Sequence, residues 1–282
     1  MQTEADMEMR VNQIMAQYRK RKWIGFAVVA FDIIYLVYLI VFKMDVRINY
    51  VVGGFAALLL TMNVFIVYAV IAIIAVVIIQ SGSNKITDTL YQMCAPYLYE
   101  ECLNRLRAWR YKDRFSCLHG MAQYYQGDTD RALETFRSIN VHKLKGLIRT
   151  NYYLLMSAIY FQKGMGQRVP ELEQAYRASM KKSKREQIYF RTLCASNNLY
   201  RAMENRDYES AFRFLEERKE LDVKVPKWVR IGYHLWEGKI YAAIGDKNSA
   251  RMNLNYVVKE GGRLVHVSQA KELLEEMEEF HK

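Results

Sequence analysis

The residue types that usually carry catalysis or bind metals are scattered along this chain of 282 residues. The histidines show no spacing typical of a metal site or of a base beside a nucleophile, and the cysteines form no CxxC pair. These residues are His119, His142, His234, His266 and His281, and Cys94, Cys102, Cys117 and Cys194. The sequence also lacks a phosphate-binding loop, a dinucleotide fingerprint and a nucleophile elbow. We therefore expect a protein that is not an enzyme, uses no cofactor or metal and keeps its thiols reduced.

One acidic residue stands where acids are rare and usually functional. Asp32 is the only charged residue within residues 23–42 and lies near the middle of that run. An acid at the centre of a membrane costs about 2.5–3.5 kcal/mol, whereas a hydrogen bond between membrane helices returns about 0.6 kcal/mol. The thirteen Ile, Leu, Val and Phe residues of this run supply roughly 4–8 kcal/mol of insertion energy. Stability therefore permits Asp32 but gives no reason for it. We expect Asp32 to pair with Asn63 and hold two helices together, with recognition of a partner's membrane helix as the alternative.

Two long apolar segments would position this pair. Residues 23–42 and residues 50–79 flank the loop 43–49, and the second segment has no charge. At about 1.5 Å per residue they reach roughly 30 and 45 Å, and the hydrocarbon core of a bilayer is about 30 Å thick. The sequence therefore predicts a transmembrane hairpin of two helices. Small residues that suit close helix packing form a stripe on another face of the second segment: Gly53, Ala57 and Thr61.

Flanking charge predicts which side of the membrane each end occupies. Five basic residues precede the first span, and the loop after it offers only two. An excess of Lys and Arg marks the cytoplasmic side. We therefore expect a multi-pass protein of the cell membrane with both termini in the cytoplasm. The basic residues before the first span are Arg10, Arg19, Lys20, Arg21 and Lys22.

Residues 1–22 are expected to form an amphipathic helix that leads into the first span. Apolar residues recur at helical spacing along one of its faces. These residues are Met7, Val11, Ile14, Met15 and Tyr18. Such a face either lies on the inner leaflet of the membrane or docks on the soluble domain.

The remainder of the chain is basic. Residues 80–282 contain 34 Lys and Arg against 25 Asp and Glu, and the whole chain has a net charge of +11. Each well-placed Lys or Arg adds about 1 kcal/mol of attraction to an anionic inner leaflet, although the excess could also simply keep the domain soluble. Nucleic acid is not expected as a partner, because no nucleic-acid fold signature accompanies the charge. Two basic clusters stand out: Arg105, Arg107, Arg110, Lys112 and Arg114, and Lys181, Lys182, Lys184 and Arg185.

The soluble part is predicted to be all-α. No alternating strand pattern appears, and segments typical of helices of about 12–20 residues fill the sequence. Residues 80–96 form a linker that ends at Pro96, and helical repeats occupy residues 97–262. Residues 263–282 are rich in glutamate and are expected to form a capping helix with a polar outer face.

A repeated spacing of small and apolar residues runs through this domain. A glycine is followed seven residues later by a Gly-Asp pair, then by an alanine and a large apolar residue. Such a glycine lets a second helix cross closely, the Gly-Asp pair ends one helix and caps the next, and the alanine lies where the two touch. Each copy therefore predicts a helix-turn-helix hairpin that stacks on its neighbours. The copies are Gly120, Gly127, Asp128, Ala132 and Phe136; Gly238, Gly245, Asp246, Ala250 and Leu254; and, more weakly, Asp207, Tyr208, Ala211 and Leu215, then Tyr160 and Gly164.

The pattern resembles the tetratricopeptide repeat family over roughly residues 97–262. It departs from that family because its steps exceed the usual spacing of about 34 residues and lack the proline after the second helix. In the family, the first helices of the hairpins line a concave groove that holds an extended peptide or a partner helix. The resemblance implies these groove residues: Arg114, Met121, Tyr124, Tyr125, Asn151, Phe161, Tyr200 and Lys239. The alternative is that most of the aromatic residues pack between hairpins.

These features together predict a membrane-anchored adapter or scaffold. Its cytoplasmic helical-repeat domain would bind a protein or peptide partner and so raise the concentration of that partner at the membrane. One alternative is a subunit of a membrane complex, in which the Asp32 and Asn63 pair and the small-residue stripe bind other membrane helices or a second copy. Another is a regulator whose groove senses a peptide or small ligand.

Overall fold

The computed structural model describes residues 4–38, 54–106, 112–221 and 225–279, without the side chains of residues 54–61, 63 and 64. Within these ranges every regular element is a helix, as predicted, and the chain divides into two units, Met1–Thr87 and Asp88–Lys282. The α-helices are α1 Glu4–Tyr38, α2 Gly54–Tyr91, α3 Pro96–Asn104, α4 Lys112–Gln126, α5 Thr129–Arg137, α6 Gly146–Gln162, α7 Val169–Ser179, α8 Lys184–Glu204, α9 Tyr208–Leu221, α10 Lys227–Ala243, α11 Lys247–Glu260 and α12 Val265–Glu279.

Helices α1 and α2 pack against each other in antiparallel fashion. Gly25 of α1 lies so close to α2 that a Cβ on it would come within 2.4 Å of the Ile79 side chain. Further along α1, the Tyr35 ring lies near the Tyr68 ring, with 6.5 Å between their centroids. Later residues of α1 therefore meet earlier residues of α2.

Helix α2 carries the candidate membrane span. Phe65–Tyr91 is the one stretch of the described residues that is long and apolar enough to cross a membrane, and 11% of its apolar window is buried. Length and composition alone would also admit the core helix of a soluble protein, but such a helix would be mostly buried. The two-span hairpin is not confirmed, because the predicted first span, 23–42, and the loop 43–49 extend outside the described ranges. The predicted orientation of the termini therefore stays a prediction.

Two predicted boundaries do not appear as breaks in the chain. Helix α1 runs without interruption from Glu4 to Tyr38, so the predicted amphipathic helix and the start of the first span are one helix. Helix α2 continues to Tyr91, and the predicted linker 80–96 therefore begins as helix. The physical reason is that no proline interrupts either segment, and the first helix-breaking proline, Pro96, opens α3.

The predicted apolar face of the N-terminal helix packs against protein. Val11 and Met15 on this face are buried. Beside them, a Cβ on Gly82 of α2 would lie 3.4 Å from the carbonyl oxygen of Tyr18. The face is therefore in contact with α2 at Tyr18.

The hairpins of the second unit form where the glycine spacing predicts them. Helices α4 and α5 meet at Gly120, where an added Cβ would lie 2.8 Å from the Phe136 ring. Helices α10 and α11 meet at Gly238, where an added Cβ would lie 2.6 Å from the Leu254 side chain. The repeated alanines lie in the same contacts and are fully buried. These alanines are Ala132, Ala211 and Ala250.

Three hairpins share one turn geometry. In each, an aspartate side chain accepts a hydrogen bond of 3.1 Å from the backbone N–H three residues further on and so caps the second helix. The residue before the aspartate has a positive φ, +93° at Gly127 and +84° at Gly245 but also +57° at Arg206. The weaker copy, α8 with α9, therefore has the same turn with an arginine in the glycine position. The capping residues are Asp128, Asp207 and Asp246.

The last helix closes the domain onto its first hairpin. Helix α12 packs against α10 and α11 and also contacts α4. The Arg263 backbone N–H just before α12 donates to the Cys94 carbonyl oxygen at 2.9 Å. The His266 ring stacks on the Tyr125 ring with 5.6 Å between centroids. The glutamate face of α12 is exposed, as expected of a cap, but its inner face completes a ring of helices.

We expect Gly238→Ala to destabilise the protein, although alanine is the better helix former. The methyl group, 2.6 Å from Leu254, causes overpacking that costs about 1–3 kcal/mol against about 0.5–1 kcal/mol gained in helix propensity. Gly232→Ala in the same helix is the matched control, because its Cβ would meet the His266 ring at an ordinary 3.5 Å, and it should be neutral or stabilising. Thermal unfolding of the full-length protein in detergent measures both. A Gly238→Ala variant as stable as Gly232→Ala would contradict the close contact.

We expect Arg206→Gly to stabilise the same protein. A left-handed conformation costs a non-glycine residue about 1–2 kcal/mol, and the flexibility of glycine in the unfolded chain cancels about 0.4–1 kcal/mol of that gain. The melting temperature should therefore rise, whereas Gly245→Arg, the reverse change at the equivalent position, should lower it. A fall in melting temperature with Arg206→Gly would mean that the arginine side chain contributes more than its backbone strain costs.

Candidate functional site

The first helices of the hairpins surround a cavity of about 230 Å³ in the second unit. Side chains from α4, α6, α8 and α10 line it, with contributions from the end of α9 and from His266 of α12. The ring closure by α12 therefore turns the concave face of the stacked hairpins into a partly enclosed site. The arrangement follows from the repeat, because each first helix has its partner helix on the outer side.

Aromatic rings form much of the cavity wall. The Tyr125 ring meets the Trp228 ring edge-on with 4.7 Å between centroids, and the Tyr200 ring meets the Trp236 ring in the same way at 4.7 Å. Rings locked edge-on in this manner have little freedom to rotate, and they offer large apolar faces to a ligand. The wall is therefore a preformed surface of the kind found at binding hot spots.

One permanent charge lies on this wall. Arg218 of α9 donates from Nη1 to the Ser196 hydroxyl oxygen at 2.6 Å, and its guanidinium carbon lies 5.7 Å from the centroid of the Tyr233 ring. The cavity is lined by no aspartate or glutamate from the parts of the chain that the structure describes. The site is therefore an aromatic cavity with one cation.

Three buried polar atoms at the cavity have no hydrogen-bond partner among the described residues. They are Arg218 Nε, Trp228 Nε1 and His266 Nδ1. Buried polar atoms are nearly always paired, since an unmade hydrogen bond costs about 1–3 kcal/mol. Three of the nine such atoms in the described residues therefore belong to residues that line this one cavity.

Burial keeps the titratable side chains of the cavity neutral. It lowers the pKa of His266 to about 3, with the nearby Lys239 cation acting in the same direction. It raises the pKa of Tyr125 and of Tyr200 well above the usual range of a phenol. Arg218 therefore supplies the positive potential in the cavity near neutral pH.

Four of the eight groove residues predicted from the sequence line this cavity: Tyr124, Tyr125, Asn151 and Tyr200. The other four do not. Met121 is buried beside Asn151, whose Nδ2 approaches the Met121 sulfur at 3.7 Å, and Phe161 stacks on Tyr200 with 4.8 Å between centroids. Arg114 is exposed on α4, and the Lys239 amine lies 5.2 Å from the centroid of the Trp236 ring. Half of the predicted set therefore supports the wall from behind or lies away from it.

The residues that give the cavity its chemistry are not among those predicted from the sequence. Trp228 and Trp236 lie on one face of α10, with Gly232 midway between them at steps of four residues. The spacing of the two tryptophans is visible in the sequence. Arg218 lies on a second helix of a hairpin, where the repeat pattern predicts no groove residue. No signal in the sequence distinguishes Arg218 from the other arginines.

Of the predicted membrane pair, the structure describes the side chain of Asp32 but not that of Asn63. Asp32 Oδ1 and the Tyr68 hydroxyl are both buried and have no hydrogen-bond partner among the described residues. The side chain of Asn63 lies outside the described residues, as do Gly53 and the side chains of Ala57 and Thr61. The Asp32–Asn63 pair and the small-residue stripe therefore stay predictions.

The described residues form an all-helical, repeat-like protein with one possible membrane helix. No protein-family model, no curated protein and no solved structure matches the chain. Its function must therefore be argued from the cavity itself.

We expect the stability of the protein to fall as the pH drops below about 6.5, the pKa of an unfolded histidine, toward 3. In this range the unfolded state binds a proton at residue 266 that the folded state, with the pKa of His266 near 3, does not bind. The loss attributable to this residue is at most about 1.4 kcal/mol per pH unit. His266→Phe keeps a ring against Tyr125 and should flatten the pH dependence of the melting temperature between pH 7 and 5. Identical profiles for the two proteins would contradict the buried neutral imidazole.

Proposed function

We propose that this protein is a membrane-anchored adapter with a tetratricopeptide-like domain that binds a protein or peptide partner at the membrane. The proposal includes a hairpin of two spans, with both termini in the cytoplasm. Tethering a binding site beside the membrane raises the concentration of its partner there, and this is the contribution that an adapter makes.

The observation that carries the proposal is the aromatic cavity with its unsatisfied polar atoms. Aromatic residues and arginine are the residue types most enriched at binding hot spots. At the cavity rim, Leu147 and Ile188 are 47% and 42% exposed, so the apolar surface continues outward to solvent. An extended chain that enters the cavity would also cover this rim.

A second candidate function is that of a subunit in a membrane complex. The observation that favours it is the buried Asp32 Oδ1, which lacks a partner among the described residues. Polar atoms inside a membrane usually meet another polar group, and a helix of another subunit could supply it. In this alternative the repeat domain is a docking face and the membrane helices hold the complex together.

Site-specific photo-crosslinking in native membranes tests the adapter proposal. A photoreactive amino acid replaces Ile188 at the cavity rim, and Met252, which is 69% exposed on α11 and does not line the cavity, is the matched control position. We expect a discrete crosslinked partner from position 188 only, because the partner contacts the rim. Absence of a crosslink at position 188, or the same products from both positions, would contradict the adapter proposal.

The variant Asp32→Asn separates the two candidate functions. It keeps the size of the side chain and removes its charge. An adapter should retain the crosslink at position 188 in this variant, because its partner is held by the cavity. A complex subunit should lose the crosslink, because its partner is held by the membrane helices.

A further inference from the structure

We infer that Arg218 anchors an acidic peptide in the cavity, with its guanidinium taking the carboxylate of an Asp or Glu side chain. An apolar or aromatic side chain next to that acid would lie against the Trp228 and Trp236 wall. The inference rests on the proposed peptide-binding function and adds the chemistry that the partner must have.

One hydrogen-bonding edge of Arg218 has no partner among the described residues. A guanidinium carries five N–H donors, and Nη1 is directed to the Ser196 oxygen. The opposite edge, formed by Nε and Nη2, is the one that a carboxylate takes with two parallel hydrogen bonds. Nε is buried and has no partner in the described part of the chain. The edge that binds carboxylates best is therefore the one without a partner among the described residues, although Nε of Arg149 likewise lacks a partner.

The fold supplies acids to two other arginines that are largely shielded from water. The buried Arg149 pairs with Glu186, and Arg201 pairs with Glu173 at 2.9 Å. A guanidinium taken out of water without an anion is unfavourable, and these two pairs offset that cost. Arg218 differs from both because no described carboxylate reaches it.

The two acids that precede Arg218 on α9 are engaged elsewhere. Glu217 pairs with Arg191 at 3.0 Å, and Glu216 pairs with Lys219 at 2.6 Å. Lys219 also reaches Glu237 of α10. These three carboxylates are therefore paired with other cations. Arg218 lines the cavity and has no carboxylate partner among the described residues.

Arg218 is held in place before a ligand arrives. The Ser196 hydroxyl donates to the Thr192 carbonyl oxygen at 2.7 Å, so its oxygen faces Arg218 with lone pairs available. The Tyr233 ring lies beneath the guanidinium. A cation fixed from two sides loses little freedom on binding, which favours recognition of a planar carboxylate.

The surroundings of the cavity indicate an acidic peptide rather than a lipid. The turn that leads into α8 exposes four basic side chains, Lys181, Lys182, Lys184 and Arg185, just before the rim residue Ile188. The cavity volume of about 230 Å³ lies below the range of about 300–1,000 Å³ typical of small-molecule pockets. It accommodates side chains of a peptide rather than an acyl chain, and the basic turn suits further acids along the same peptide.

Binding of two matched peptide libraries to the full-length protein in detergent tests the inference. Both libraries are short, acetylated and amidated, so neither offers a terminal charge. One carries Asp or Glu beside Leu, Phe or Trp, and the other carries Asn or Gln at the acidic position. Because a charge-assisted pair replaces a neutral one, the acidic library should bind about 10 to 100-fold more tightly. Equal binding of the two libraries would overturn the role of Arg218 and leave the adapter proposal standing.

Variants identify the anchor. Arg218→Met should reduce binding of the acidic peptide to the level of the amide peptide, Arg218→Lys should retain part of it, and Arg213→Met, an exposed arginine on the same helix, should leave it unchanged. Asp222→Asn is a second control, because Asp222 follows Arg218 by four residues and lies outside the described ranges. A gain in affinity with Asp222→Asn would show that Arg218 has an internal partner and would overturn the inference.

Two further measurements keep the outcomes distinct. If Arg218→Met does not fold, the wild-type protein alone decides: the acidic peptide should raise its melting temperature and the amide peptide should not.

Vesicles that contain phosphatidylserine should not displace the acidic peptide, and displacement would assign Arg218 to a lipid headgroup instead. Absence of the crosslink from position 188 when Arg218 is intact would contradict the adapter proposal, whereas a crosslink that persists in Arg218→Met would contradict only the anchor.

Discussion

The close contact of two helices at a glycine determines the architecture of the second unit. At Gly120 and Gly238 the backbone of a first helix touches Phe136 and Leu254 of its partner so closely that no methyl group fits between them. This contact fixes which face of each first helix meets its own partner. The opposite face is then left to the neighbouring hairpins and to the interior of the ring. The cavity exists because α4, α6, α8 and α10 all present that second face to a common space.

Closure by α12 changes the physical character of this space. An open concave surface would leave its polar atoms in water, where an unpaired N–H has no cost. Once His266 stacks on Tyr125, the imidazole is buried and its Nδ1 loses water without gaining a protein partner. The same enclosure lowers the local dielectric and strengthens every electrostatic interaction of Arg218. The enclosed site therefore selects for ligands that bring both apolar surface and hydrogen-bond acceptors.

The sequence predicts the parts of this fold that depend on short-range spacing. The hairpins at Gly120 and Gly238 follow from residues within one repeat, because a glycine, a cap and an alanine set the turn and the crossing locally. The position of Arg218 in the cavity depends on how α9 packs behind α8 and α10, and no spacing within one repeat encodes that. Ring closure likewise joins Arg263 to Cys94, residues at opposite ends of the domain. In the first unit the register brings Tyr35 of α1 near Tyr68 of α2, and contacts along two whole helices set that register.

The guanidinium of Arg218, which has no carboxylate partner among the described residues, is a destabilising feature of the free domain. The same fold buries Arg149 with Glu186, so it has the means to neutralise an internal guanidinium. A partly buried guanidinium without a carboxylate partner, together with its unpaired Nε, is unfavourable for the free protein. Departures from local consistency of this size in natural proteins concentrate at functional sites, where a ligand supplies the missing interaction. The imbalance at Arg218 is therefore better explained as the free state of a binding site than as a structural arrangement, since an acid on α6 or α8 would have removed it.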